Sequence, residues 1–249
     1  MFFASGISIV AGFSTPAASY APRLHTSRAH QPRAQATAVE LDVVAATQDV
    51  LTTATGYYSP VDASKLDDDF VFRAPTIGPL NKQDYINTMT TLETYVGYPD
   101  ITPNAFGFTQ DPDEPLKCIF WTRATGTFTQ PWNPYGKKLE ALRIQPNGKT
   151  AKLPTECYSM TFTPEGKVRY LTAGYVVSKV EGNTAGFGAV LALFVNADLP
   201  QVAQIALDAN VRAVGGWIAN NVDSSVAKTV SNPEDLPAWY RAVEPPPAQ

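Results

Sequence analysis

The stretch Asp67-Asp68-Asp69-Phe70-Val71-Phe72-Arg73-Ala74-Pro75-Thr76-Ile77-Gly78-Pro79-Leu80 decides how the rest of the chain is read. Its alternation predicts a strand, with Phe70, Phe72 and Ala74 on one face and Asp69, Val71 and Arg73 on the other. Pro75 cannot donate to a ladder, and Gly78-Pro79 permits a bend. Asn81 then caps a helix, with Asp84 three residues on in a capping-box position. Tyr85, Met89, Leu92 and Val96 form that helix's apolar stripe, and Gly97 sits where a stop belongs. The strand is expected to form one wall of a pocket that the other elements close.

Upstream, Val44, Thr47, Leu51, Ala54 and Tyr58 recur at helical spacing until Gly56 and Ser59-Pro60 end the pattern. Asp62 to Leu66 reads as one more helical turn. Downstream, strands are predicted over Ala105–Thr109, Leu116–Thr129, Lys138–Gln145, Ala151–Thr163 and Val168–Val180. Asn147-Gly148 is a hairpin signal, and Pro164-Glu165-Gly166 a turn. Helices followed by an antiparallel meander make an α+β arrangement. After Thr184 the character changes. The apolar run Phe187–Val195 is too short to span a bilayer. Leu199-Pro200 leads into a helix with Val202, Ile205, Ala209, Ala213 and Trp217 on one side, and a Pro-rich tail ends the chain.

Composition bounds the function. The chain has 249 residues, 44% hydrophobic and 17% charged, which suits a globular core with extensions. Its first 39 residues hold three arginines and no acid. Without them, 16 of the 19 basic residues face 23 acidic ones, a body charge of −7. An acidic body argues against a nucleic-acid or anionic-membrane partner. The two histidines, His25 and His30, both lie in the leader. A mature chain without it has no Ser-His-Asp triad, no Cys-His pair and no His-ligated metal. Cys118 and Cys157 are too few for a disulfide framework or a four-thiolate metal site. No cofactor and no metal are implied.

Met1 to Phe13 is apolar, and Ala18-Ser19-Tyr20-Ala21-Pro22 resembles the cleavage motif of proteins imported into the complex plastids of diatoms and related algae. That motif usually carries Phe where this chain has Tyr20. The following Arg-, Ser- and Ala-rich segment has transit-peptide composition. The leader, residues 1–39, is therefore expected to be disordered and to direct the chain to a plastid (chloroplast). Residues 40–184 are expected to form the main domain, and 185–249 a helical extension.

The pattern from about Val44 to Val180 resembles the nuclear transport factor 2-like superfamily in its SnoaL-like branch. The matching features are Phe70-Val71-Phe72-Arg73-Ala74-Pro75, Gly78-Pro79-Leu80, Gly126-Thr127-Phe128 and Phe162 through Gly166-Lys167-Val168, in that order. The resemblance implies a cone: a curved antiparallel sheet packed on N-terminal helices around a cavity. It also allows a homodimer through the outer sheet face. Members include ketosteroid isomerases, polyketide cyclases and scytalone dehydratase. The isomerase places an Asp base against an oxyanion hole of a tyrosine and a protonated Asp. Carried over by motif, the catalytic Asp falls on Ala74, the second pocket Asp on Tyr158, and a histidine common in the branch on Phe128. Ala74 and Phe128 cannot move a proton, and Tyr158 is a donor at neutral pH.

Candidate acid–base residues are thus Tyr158 and Glu156, on one strand face, with Asp69 at the mouth. Strand parity and the alignment put Phe70, Phe72, Ala74, Phe128, Tyr170 and Thr172 inward as ligand-contacting residues. Such a set fits a small apolar molecule, and equally a cone filled by its own aromatics. Three readings stay open: a plastid protein binding a small apolar ligand, an isomerase, cyclase or dehydratase with non-standard acid–base residues, and a non-catalytic assembly factor.

Overall fold

The computed structural model describes residues 41–205, 218 and 227–243. The leader and most of the helix predicted from Val202 to Trp217 lie outside them. The fold is α+β, built on a large curved mixed sheet.

Helix α1 (Val43–Thr53) starts where Asp42 accepts from the Val44 and Ala45 amides. It ends earlier than its apolar periodicity suggests. Ala54 caps it, and Gly56 turns the chain at φ +77, where a Cβ would lie 2.6 Å from that of Met89. Tyr57 and Tyr58 therefore leave the helix and point elsewhere. Strand β1 (Leu66–Arg73) runs back into the body, β2 (Leu80–Asn81) follows, and α2 (Lys82–Leu92) is capped by Asn81, which accepts from the Asp84 amide. Glu93, left-handed at φ +39, separates α2 from the short α3 (Thr94–Gly97).

The main sheet has the order β2-β1-β8-β7-β4-β3, with β3 (Phe106–Gln110), β4 (Lys117–Thr122), β7 (Glu156–Phe162) and β8 (Val168–Val176). Most neighbours are antiparallel, as expected of a meander, but β1 and β8 run parallel. Helices, not a hairpin, connect β1 to the meander, so nothing forces an antiparallel pairing there. The predicted long strand Leu116–Thr129 is split. At Arg123 the chain leaves the main sheet, and β5 (Thr125–Thr127) pairs with β6 (Thr150–Lys152) in a small second sheet. The strand predicted over Lys138–Gln145 is instead a 3₁₀ segment over Lys137–Leu142. Of the predicted strand, Ile144 pairs with Trp132 in an isolated antiparallel bridge, while Leu139 and Leu142 are exposed. Asn147-Gly148 forms no tight hairpin. The Asn147 side-chain amide donates to the Asn196 carbonyl, and the Gly148 N–H to the Phe128 carbonyl.

Two cores result. The first joins α1, α2 and the inner face of the main sheet, around Leu51, Phe70, Tyr85, Phe120 and Met160. The second joins the small sheet to α4 (Ala189–Asn196), around Tyr98, Phe128, Trp132, Leu193 and Phe194. Helix α5 (Pro200–Ile205) follows α4. Near the end of the described residues, a strap leads into α6 (Ala238–Val243) and packs Leu236 and Tyr240 on Val71, on the sheet face away from the first core. Asp84 anchors this strap, accepting from the Ser231 hydroxyl at 2.6 Å and pairing with Lys228 at 2.9 Å.

Candidate functional site

Between α1, α2 and the inner sheet face lies a cavity of about 70 Å³. Phe72, Ala74 and Ile77 line one side, Leu51, Tyr85 and Met89 another. Tyr57, Tyr58 and Tyr158 also line it, with Ala189 and Val190 of α4. No carboxylate, lysine, arginine or histidine is among the lining residues.

The polar end belongs to the tyrosines. The hydroxyl oxygens of Tyr57 and Tyr58 are buried and have no hydrogen-bond partner. Their rings meet edge to face with centroids 4.9 Å apart. Burial pushes both hydroxyls well above the ordinary phenol range, and the nearby Glu156 charge adds to it, so both stay protonated donors. Tyr158 lies near Tyr58 and favours its ionised form, but the two hydroxyls do not meet in hydrogen-bond geometry, and Tyr158 donates to Glu156 Oε2 at 2.9 Å.

Glu156 is 1% exposed and does not line the cavity. Its Oε2 accepts from Tyr158, and its Oε1 accepts from the Ala189 N–H at 2.8 Å, at the first turn of α4. Burial raises its pKa above the ordinary carboxylate value, against the lowering effect of these two donors. It thus serves as a remote cap for α4, satisfying an amide that the helix leaves without an intrahelical partner. Gly188 makes this approach feasible. A Cβ there would lie 2.7 Å from Glu156 Oε1 and 2.8 Å from Val176 Cγ2.

The predicted site residues fall into three groups. Phe72, Ala74 and Tyr158 line the cavity, while Glu156 stands behind Tyr158 and Phe70 packs at 5.0 Å from the Tyr85 ring in the adjoining core. Phe128 sits in the second core, 5.1 Å from Tyr98 by ring centroids, because the sheet breaks before it. Tyr170 and Thr172 face away from the cavity. Thr161 pairs with Tyr170 and Phe162 with Val168, so Arg169 is an extra residue on β8. This bulge reverses the strand's parity and turns Leu171 and Ala173 inward. Tyr170 instead packs 5.6 Å from the Trp239 ring, and Thr172 bonds to Ser159. Asp69 lies on an exposed strand entry, where its carbonyl accepts from Trp239. The outer face near Val71 and Tyr170, which a homodimer could share, is occupied by the chain's own strap.

Tyr57, Tyr58 and the first turn of α4 are not legible in the sequence as site components. The signal for the tyrosines is Gly56 directly before them, which breaks the helical phase that the periodicity assumes. Among the described residues no group of His, Cys, Asp and Glu could hold a metal, and no helix is long and apolar enough to cross a membrane. Cys118 and Cys157 are free and sit on β4 and β7, paired in register with Met160 and Trp121 rather than with each other.

No protein-family model and no curated protein matches the chain. Among solved structures it is similar to a protein described as a SnoaL-like polyketide cyclase from Jannaschia sp., at 14% identity over 67% of this chain and 99% of the other, with a TM-score of 0.43. A nuclear transport factor 2-like protein from Anabaena variabilis is similar at 15% identity, covering 59% of this chain and 92% of that one, with a TM-score of 0.38. The epoxide hydrolase/cyclase-like enzyme SalBIII, of pyran ring formation in salinomycin, is similar at 14% identity with the same coverages and a TM-score of 0.34.

Proposed function

We propose that this chain is a plastid protein that binds a small apolar molecule in its cone, holding an oxygen of that molecule with Tyr57 and Tyr58. One observation carries the reading: two buried phenol hydroxyls without partners line an apolar cavity. A buried donor left unsatisfied costs roughly 1–3 kcal/mol. A ligand carbonyl or hydroxyl would supply the missing acceptor, while the aliphatic and aromatic walls take the apolar remainder.

The same geometry disfavours an isomerase, cyclase or dehydratase reading. A general base must reach the proton it removes. Glu156 lies outside the lining with both oxygens engaged, and Tyr158 stays protonated.

The test is purification from the native organism, denaturing extraction and mass spectrometry. An apolar molecule bearing a hydroxyl or carbonyl should be recovered in near-stoichiometric amount, and the doubly substituted Tyr57→Phe/Tyr58→Phe protein should lose it. An extract without such a molecule refutes the reading. The plastid part rests on the leader alone. A fluorescent fusion to residues 1–39 should enter plastids, and Tyr20→Ala should block entry.

A further inference from the structure

A second hollow lies just outside the first. This groove, of about 480 Å³, is bordered by Pro75, Thr76, Gly174, Tyr175, Gly186 and Phe187, with exposed Lys179 and Tyr175 at its rim. Ala74, Ile77, Ala189 and Val190 line both spaces. The two spaces are therefore adjacent and share a partition, half of it the segment after β1 and half the first turn of α4. The inner cavity by itself is small, since an apolar cavity of about 150 Å³ is what holds a benzene.

At the α4 half of the partition the Ala189 N–H donates to Glu156 Oε1, which ties the turn to the main sheet. The Ala192 N–H donates to the Gly188 carbonyl and the Thr184 hydroxyl to the Phe187 carbonyl within the same segment, and Gly188 offers no side-chain cap. Its backbone is strained, with Ala189 at φ +46 and Ala185 at φ +54, both in the left-handed region that alanine avoids. Displacing the turn would relieve that strain and so offset the loss of the hydrogen bond. The far end of α4 is better secured, where the Tyr98 hydroxyl donates to the Leu193 carbonyl and Asn196 reaches Tyr98 and Lys149. Movement would thus be confined to the first turn.

We infer that the first turn of α4 is a displaceable plug, that Glu156 is its latch, and that the ligand is an elongated apolar molecule spanning both compartments with its oxygen-bearing end at Tyr57 and Tyr58. This rests on the ligand-binding reading above and extends it from a small pocket to a continuous channel.

The probes are the primary alcohols butanol, octanol and dodecanol, titrated calorimetrically into the purified protein. A ligand that reaches the groove buries each added methylene, so affinity should rise about fourfold per methylene through octanol toward dodecanol. A lock is available across the partition. A Cβ on Gly174 would lie 3.3 Å from that of Ala189, just under the usual disulfide spacing of about 3.5–4.5 Å. In the oxidised Gly174→Cys/Ala189→Cys protein, dodecanol should bind no better than butanol, and reduction should restore the difference. Gly174 sits at φ +76, which a cysteine tolerates poorly, so a second variant guards against misfolding. Gly188→Ala would push the turn off Glu156 and should speed dodecanol association several-fold.

If butanol binds but affinity does not grow with chain length, or if Gly188→Ala leaves association unchanged, the plug is refuted and the ligand-binding reading stands. Unchanged dodecanol affinity in a verified lock refutes it equally. If no alcohol binds at any length, while Tyr57→Phe/Tyr58→Phe changes nothing extracted from the native protein, both readings fall.

Discussion

Replacing Tyr58 by phenylalanine should stabilise the ligand-free protein. Most substitutions of buried residues destabilise, so the sign is informative. The Tyr58 hydroxyl is buried with no partner, against apolar walls built by Leu51, Met89 and Val190. Leaving such a group unsatisfied costs about 1–3 kcal/mol, and phenylalanine keeps the ring while removing the penalty. The oxygen's own dispersion attraction to the walls offsets part of this, so we expect a gain of about 1–2 kcal/mol. For a chain of this size that raises Tm by roughly 3–6 °C. Tyr57→Phe should act the same way, and the double variant should approach additivity only in part, since the two rings touch. The assay is urea unfolding at neutral pH, with the slope checked for constancy so that a change in midpoint reads as stability. The counterpart is a binding loss of about 2- to 10-fold per hydroxyl for an oxygen-bearing ligand. A stabilising change that weakens binding is the mark of a group retained for function. A fall in stability for both single variants would refute the reasoning, because it would mean the hydroxyls are satisfied in the folded protein.

Three further outcomes are expected. Glu156 has a folded pKa raised above its ordinary value, so its stability contribution is complete below the unfolded pKa of about 4.5 and is lost as pH rises through the folded one. Glu156→Gln should therefore flatten the fall of stability above pH ~4.5 relative to the parent, and parallel pH profiles from urea unfolding would contradict this. Asp84→Ala should cost about 2–4 kcal/mol, because it leaves Lys228 without its partner and the Ser231 hydroxyl without its acceptor; limited proteolysis should then cut the strap before α6. Phe128→Ala should cost about 3–5 kcal/mol by opening a void between Tyr98 and Trp132, and should leave alcohol binding unchanged. Weakened binding in a folded Phe128→Ala protein would return that residue to the site.

The legible parts of the site are those carried by unbroken local patterns. Phe72 and Ala74 line the cavity because side chains alternate from Phe70 onward, with Phe70 and Phe72 on the core face and Val71 on the other. Tyr158 lines it and Glu156 lies beside it for the same reason along β7. Parity misplaces Tyr170 and Thr172 because one extra residue at Arg169 reverses it, and a bulge leaves no sequence mark here. Phe128 is misplaced because a run rich in β-branched and aromatic residues reads as one strand. Where it breaks depends on which ladder each half finds, Thr125 pairing with Lys152 rather than continuing along β7.

By itself, then, the sequence determined the α+β class, the apolar face of β1 and the capped helix after it. These follow from periodicity, capping and residue chemistry, all of which act over a few residues. Tertiary structure decided the rest. The Glu156 carboxylate meets the Ala189 amide 33 positions away, and that one hydrogen bond turns a candidate base into the cap of a helix. Burial of the Tyr57 and Tyr58 hydroxyls depends on Gly56 bending the chain and on Ala189 and Val190 of α4 lining the same cavity. Such arrangements come from packing between distant segments, which local patterns do not encode.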